Sequence, residues 1–188
     1  MRRPRDSQRE KVYAAEREAF NTDFSRPEDH EMRTLASLEE TVRLILATPA
    51  VRERFKYAPS FVKIEATRAH RGTAYGTRRI KLPRFARRPA NYAYLLHEVA
   101  HILVSSELGT TSAWHGREFA ATMIFLADYF MGQTVAERLR DAYRKHGVKW
   151  RAKLRLSPER RLQLREQGQA LVIRRLIRAA TSASAPTS

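Results

Sequence analysis

The sequence predicts an α+β domain: a small mixed or antiparallel sheet packed on a helix that carries His97-Glu98-Val99-Ala100-His101, and on the helix after it. Three observations predict it. Residues 61–83 hold two stretches of strand-type alternation. Leu95, Leu96, Val99, Ile102 and Leu103 then recur at the three- and four-residue spacing of a packed helix. Hydrophobic residues make up 43% of the 188, enough for a core of useful size in one domain.

Taken from the N-terminus, DSQREKVYAAEREAF (6–20) is rich in helix formers and predicts a first helix, broken by NTDFSRPEDH. Ser37 with Glu40 three residues later forms a capping-box pattern, opening a helix through Leu38, Val42, Leu44 and Ile45. Thr48-Pro49 restarts the chain, and VRERF predicts a short helical turn. In FVKIEATRA (61–69), Phe61, Lys63 and Glu65 alternate with Val62, Ile64 and Ala66, which is a strand pattern. RGTAYGT (71–77) reads as a hairpin or a loop, and RRIKLP (78–83) as a second strand stopped by Pro83. Pro89-Ala90-Asn91 starts the HEVAH helix, which runs to about Glu107. After the break Gly109-Thr110-Thr111-Ser112, a helix from His115 to about Phe130 puts Phe119, Met123, Phe125 and Leu126 in the core. Thr134 to His146 is amphipathic and ends at Gly147, a residue suited to a helix C-terminus. VKWRAKLRL reads as a strand or an extended arm, and Ser157-Pro158 opens a basic helical region to about Ala180. Residues 1–150 are thus the expected domain, 151–180 a basic extension and 181–188 a disordered tail.

The chain contains no cysteine, which excludes disulfides and thiolate metal sites and leaves His and carboxylate as metal ligands. MRRPRDSQREK has charge but no apolar stretch behind it, and no run approaches a membrane span, so a cytoplasmic protein is expected. The net charge of +16 is uneven. Between Arg138 and Ala180, fourteen Lys or Arg face three acids, and Arg78, Arg79, Lys81, Arg84, Arg87 and Arg88 fall within eleven positions. Such asymmetry favours contact with a polyanion through counterion release, so nucleic acid is a candidate partner of 78–88 and 138–180.

Two histidines at i and i+4 lie on one helical face about 6 Å apart, so both imidazoles can reach one ion at the ~2.0–2.1 Å that zinc requires. Glu98, next to the first of them, is placed to act on a water at the metal as general base and then as proton donor. The motif supplies two ligands and a base, and a third ligand must come from elsewhere. His115 is the first candidate, since a helix folding back through the Gly-Thr-Thr-Ser turn brings it beside His97 and His101. Glu118, one turn later, competes with it; Glu107, on the same helix as His101, is less suited. Asp128 could hold a ligand imidazole from outside, and Tyr75, Tyr92, Tyr94 and Tyr129 are available as oxyanion donors but read mostly as packing residues. Trp114 reads as a packing anchor for His115, and His30, His70 and His146 as surface or capping histidines.

HEVAH followed fourteen positions later by HGREF resembles the HExxH…HGxxF pattern of SprT-like, gluzincin-type zinc metallopeptidases over roughly residues 60–130. With RDSQREKVYAAE near the start, the chain also looks like a group of small metallohydrolases of actinobacteria and phages. The resemblance implies a minimal zincin-like core with extra N- and C-terminal helices. It implies His97, His101 and His115 as zinc ligands, and Glu98 as catalytic acid/base. It also implies that IKLP is an edge strand along which a peptide substrate lies by β-augmentation. The Cys-rich zinc ribbon that often follows the SprT core is missing. The expected function is a zinc metallopeptidase; the competing one is a nucleic-acid-binding protein with a basic C-terminal arm, whose zinc site is vestigial or regulatory.

Overall fold

Helix α4 (Tyr92–Leu108) is the element around which the others are arranged, because it is buried on nearly every side. Twelve of its 17 residues are buried, among them the polar His97, Glu98, His101 and Ser105. A helix so enclosed needs neighbours all round. On one side it packs on β2 (Thr73–Tyr75) and on another on α5 (Arg117–Phe130). Helix α6 (Gln133–Lys145) packs on α5, and α1 (Arg9–Phe20) on α6. The computed structural model describes residues 5–20, 34–68, 73–83, 92–109 and 112–150. The chain divides into two units, Met1–Lys153 and Leu154–Ser188, and the second lies wholly outside the described residues. So do the NTDFSRPEDH break, His30, His70, Arg84, Arg87, Arg88, the basic extension and the tail.

The fold is α+β, with six helices and a three-stranded mixed sheet among the described residues. Helix α2 (Leu35–Ala47) and the short α3 (Pro49–Arg54) precede the sheet. The cap of α2 differs from the sequence reading: Thr34, not Ser37, is the N-cap, and Ser37 is the residue that answers it. Ser37 N–H donates to Thr34 Oγ1 at 3.1 Å, and Thr34 N–H to Ser37 Oγ at 3.3 Å. Glu40 is instead drawn to the Arg43 guanidinium by two 2.6 Å bonds. Helix α1 likewise starts at Arg9 rather than at residue 6, because Asp6 and Gln8 turn their side chains to other elements.

Strand β1 (Lys63–Thr67) runs parallel to β3 (Arg79–Pro83), and β2 runs antiparallel to β3, giving the order β1-β3-β2. The stretch read as a hairpin or a loop therefore contains a strand and a turn, with Gly76 at φ +58 where a side chain would be strained. Val62, Ile64, Ile80 and Leu82 are buried, as the alternation required, but Ala66, on the same face by that alternation, is exposed; Phe61 is 52% exposed. One expectation is overturned. IKLP belongs to the central strand, paired with β1 along its length and with β2 over Arg79–Lys81, so it is not the sheet edge; the strand beside α4 is β2.

Helix α1 is held against α6 by apolar burial of Val12, Ala15, Ala19 and Phe20 on one helix and Ala136, Leu139, Ala142 and Tyr143 on the other. Glu18 adds surface pairs to Lys145 Nζ (2.8 Å) and His146 Nε2 (2.9 Å), and His146 is the C-cap of α6. Such exposed pairs are worth about 0–1 kcal/mol each, so packing dominates. Val148–Trp150 form no strand. Among the described residues, no helix is long and apolar enough to cross a membrane.

Candidate metal centre

His97 and His101 sit one turn apart on α4, and His115 reaches them from the turn that precedes α5. Gly116, the N-cap of α5, permits that turn to close tightly: a Cβ there would lie 3.2 Å from the Ala113 carbonyl and 3.5 Å from Ser112 Oγ. All three imidazoles are buried, and their ligand atoms lie within 4.8 Å of one another. The Nε2 atoms of His97 and His101 are 3.2 Å apart. Two nitrogens about 2.0–2.1 Å from a tetrahedral zinc would be separated by about 3.3 Å, so this spacing suits one ion. Phe119, fully buried, fixes the rings from below, with centroids 4.8, 4.4 and 5.0 Å from His97, His101 and His115. Trp114 stands edge-on to His101 at 5.4 Å.

The outward nitrogens decide which tautomers are present. His97 Nδ1 lies 2.7 Å from Glu16 Oε2, and His115 Nδ1 lies 2.7 Å from Asp6 Oδ2. A carboxylate accepts, so each Nδ1 carries the proton, and in the neutral ring Nε2 is left with a lone pair turned inward. Carboxylates in this position orient a ligand imidazole and raise its basicity. Both are themselves held. Tyr143 donates its hydroxyl proton to Glu16 Oε1 (2.9 Å), and the His115 backbone N–H donates to Asp6 Oδ1 (3.2 Å). Gln8 ties the same turn down by donating to the His115 carbonyl (2.8 Å) while bonding both ways to the Lys149 backbone.

Electrostatics differ between the imidazoles. Burial pushes the His97 pKa down, but the Glu16 charge and hydrogen bond outweigh it and the net shift is upward. Burial lowers that of His115 further than Asp6 raises it, favouring the neutral ring that can ligate. Its Nε2 has no hydrogen-bond partner although it is buried. Three imidazoles converging with an orphaned nitrogen among them fit a metal ion; their chemistry alone does not choose which.

Glu98 is 3% exposed. The Ala74 backbone N–H of β2 donates to its carboxylate, while Oε2 has no partner. Burial lifts its carboxyl to about 7, against the opposing pull of His97 and the Ala74 bond. A cleft of about 210 Å³ opens onto this group. Glu98, His101 and His115 line it together with Thr73 and Ala74 of β2, Trp114, and three residues of the N-terminal segment, Asp6, Arg9 and Tyr13. Trp114 thus both packs on a ligand and borders the cleft.

Of the residues singled out from sequence, the structure brings together His97, Glu98, His101 and His115. Glu118 is not part of the cluster; it stands on the first turn of α5 beside Ser112, whose hydroxyl is 3.4 Å away. Glu107 accepts from the Tyr57 backbone N–H, far along α4 from His97. Asp128 lies eleven residues into α5, about 16 Å along the axis from its start, and the roles considered for it belong to Glu16 at His97 and Asp6 at His115. Tyr92 and Tyr94 pack against the core, and Tyr129 is buried against Phe125 and Phe130. The Tyr75 side chain lies outside what is described; among the described side chains, the tyrosine that borders the cleft is Tyr13. The signal that points to the missed residues is their spacing: Asp6, Arg9, Tyr13 and Glu16 recur at intervals of three, four and three, one polar stripe beside the apolar Val12, Ala15 and Ala19.

The basic residues within the described segments are partly neutralised, with Arg79 near Glu65 (3.7 Å), Arg144 paired to Asp141 (2.6 Å) and Lys145 to Glu18. Compared with protein-family models, with curated proteins and with solved structures, the chain finds no match.

Proposed function

We propose that the protein is a zinc-dependent hydrolase of the metallopeptidase type, with His97, His101 and His115 as ligands and Glu98 as general base. The observation that carries the reading is a pair of orphaned buried atoms at one open cleft, Nε2 of His115 and Oε2 of Glu98. A structural zinc site is closed by four protein ligands, whereas three imidazoles beside a cleft leave a position for substrate and water. Zinc, when bound, supplies Lewis acidity that polarises a carbonyl and makes water acidic.

The chain's own groups do the rest. The Ala74 N–H fixes one side of the Glu98 carboxylate, leaving Oε2 to take a proton from water and pass it to the leaving amine. Phe119, Glu16 and Asp6 keep the ligand rings from turning. Strand β2, which contributes Thr73 and Ala74 to the cleft, is the strand along which an extended peptide would lie. A helix bearing HEVAH, a small sheet against it and a third histidine ahead of the return helix support the zincin-like, SprT-like reading.

The test is hydrolysis of an unstructured protein substrate by the zinc-loaded chain and by Glu98→Gln. The variant should keep its metal and lose activity by about 10²–10⁴-fold. Full activity in Glu98→Gln would remove the mechanism.

A further inference from the structure

The N-terminal helix brings more to the cleft than the carboxylate that orients His97. The Tyr13 ring stacks on His97 (centroids 5.4 Å apart, planes 17° apart) and leans on His115 at 5.0 Å. It therefore contacts two candidate ligands, and it lines the cleft that Glu98 also lines. Arg9, one turn earlier on α1, sits 5.7 Å from the ring centroid; burial raises the phenol's pKa, and the hydrogen bond and charge of Arg9 work against that rise. Arginine has only donors, so in that bond the phenol oxygen accepts and its O–H remains a donor, polarised by the neighbouring cation against the effect of burial. Among the described residues, Arg9 is the sole Lys or Arg lining the cleft.

Chemistry at this site needs such a pair. Attack of water on a carbonyl builds negative charge on the carbonyl oxygen, and preorganised donors aimed at that oxygen are the largest single contribution an active site makes. Glu98 is taken up as the base and Asp6 by His115; of the donors lining the cleft, Thr73, Trp114, Arg9 and Tyr13, Tyr13 packs against two of the three histidines. We propose that Tyr13, polarised by Arg9, donates to the substrate oxygen on which charge develops, so that Tyr13 is a catalytic residue and Arg9 its positioning partner. The proposal rests on the metal-hydrolase reading above. It assigns the oxyanion role to α1, outside the stretch that carries the metal motif.

Cobalt(II) gives the site a visible signal, and acetohydroxamate presents a carbonyl oxygen and an anion to a metal. The full chain, Tyr13→Phe and Arg9→Met are each loaded with cobalt(II) and then titrated with acetohydroxamate, following the absorption bands. Phenylalanine keeps the ring on His97, so cobalt(II) affinity and spectrum should be unchanged in both variants. Acetohydroxamate affinity should fall about 10-fold or more in each, the loss expected for one hydrogen bond to a charged group. Arg9→Lys, which keeps the cation, should recover part of the loss. Unchanged acetohydroxamate affinity in Tyr13→Phe overturns the proposal and leaves the metal reading standing, as does a cobalt-loaded wild type that binds no acetohydroxamate. A wild type that develops no cobalt bands overturns the metal reading, and this proposal with it.

Discussion

Glu16 offers a perturbation in which charge and shape can be separated. Its two oxygens are both used inside the protein, one by His97 Nδ1 at 2.7 Å and the other by the Tyr143 hydroxyl at 2.9 Å. Glu16→Gln can keep both bonds, because the amide oxygen accepts from His97 while the amide N–H donates to the Tyr143 oxygen. What it loses is the negative charge that makes His97 a better ligand. Outer partners of this kind are worth about 10–100-fold in metal affinity, or ~1.4–2.7 kcal/mol, and Glu16→Gln should cost toward the lower end. Glu16→Ala removes the bonds as well. It leaves two buried donors, His97 Nδ1–H and Tyr143 O–H, at about 1–3 kcal/mol each, so the metal-free fold should lose ~2–6 kcal/mol. Metal affinity is read by competition with a chromophoric chelator, and stability by urea unfolding of the metal-free chain. If both variants hold zinc as tightly as the wild type, Glu16 does not orient His97. If Glu16→Ala unfolds at the wild-type urea concentration, the Tyr143–Glu16–His97 chain contributes nothing and the reasoning fails.

Asp6→Asn should weaken zinc by about tenfold through His115, with little effect on the urea midpoint because Asp6 is partly exposed and precedes α1; an unchanged chelator competition would contradict this. Phe119→Ala removes a fully buried ring that touches all three imidazoles, and should cost about 3–5 kcal/mol of stability and weaken the metal in the same protein. A stable Phe119→Ala variant with wild-type zinc affinity would show that the rings are held by other contacts.

What could be read from the sequence was local. The i, i+4 histidines and the apolar spacing of 95–103 placed α4 within a residue of its end, since both depend only on helical geometry. His115 followed from a short turn and a returning helix. The rest depended on partners distant in the chain. Strand β2 has three residues, too few for alternation to show; the edge position of IKLP came from the SprT-like resemblance, and pairing order is not encoded in either strand alone. Glu16 and Asp6 meet their histidines across 81 and 109 residues. Their stripe with Arg9 and Tyr13 is visible in the sequence, but a polar stripe on a helix usually faces water. Only the packing of α1 on α6 turns this one inward. Thr34 caps α2 even though Ser37 with Glu40 makes the commoner pattern, because a Ser at the third helical position can answer the cap as Glu does.

Everything at the cleft depends on three imidazoles of this chain holding one zinc ion. X-ray absorption at the zinc edge, on protein purified without added chelator and on His115→Ala, measures that directly. About one zinc per chain is expected, bound at ~2.0–2.1 Å by nitrogen and oxygen, with three imidazoles in the wild type and two in His115→Ala. A wild-type chain without zinc, or with the same imidazole count in both proteins, would contradict it.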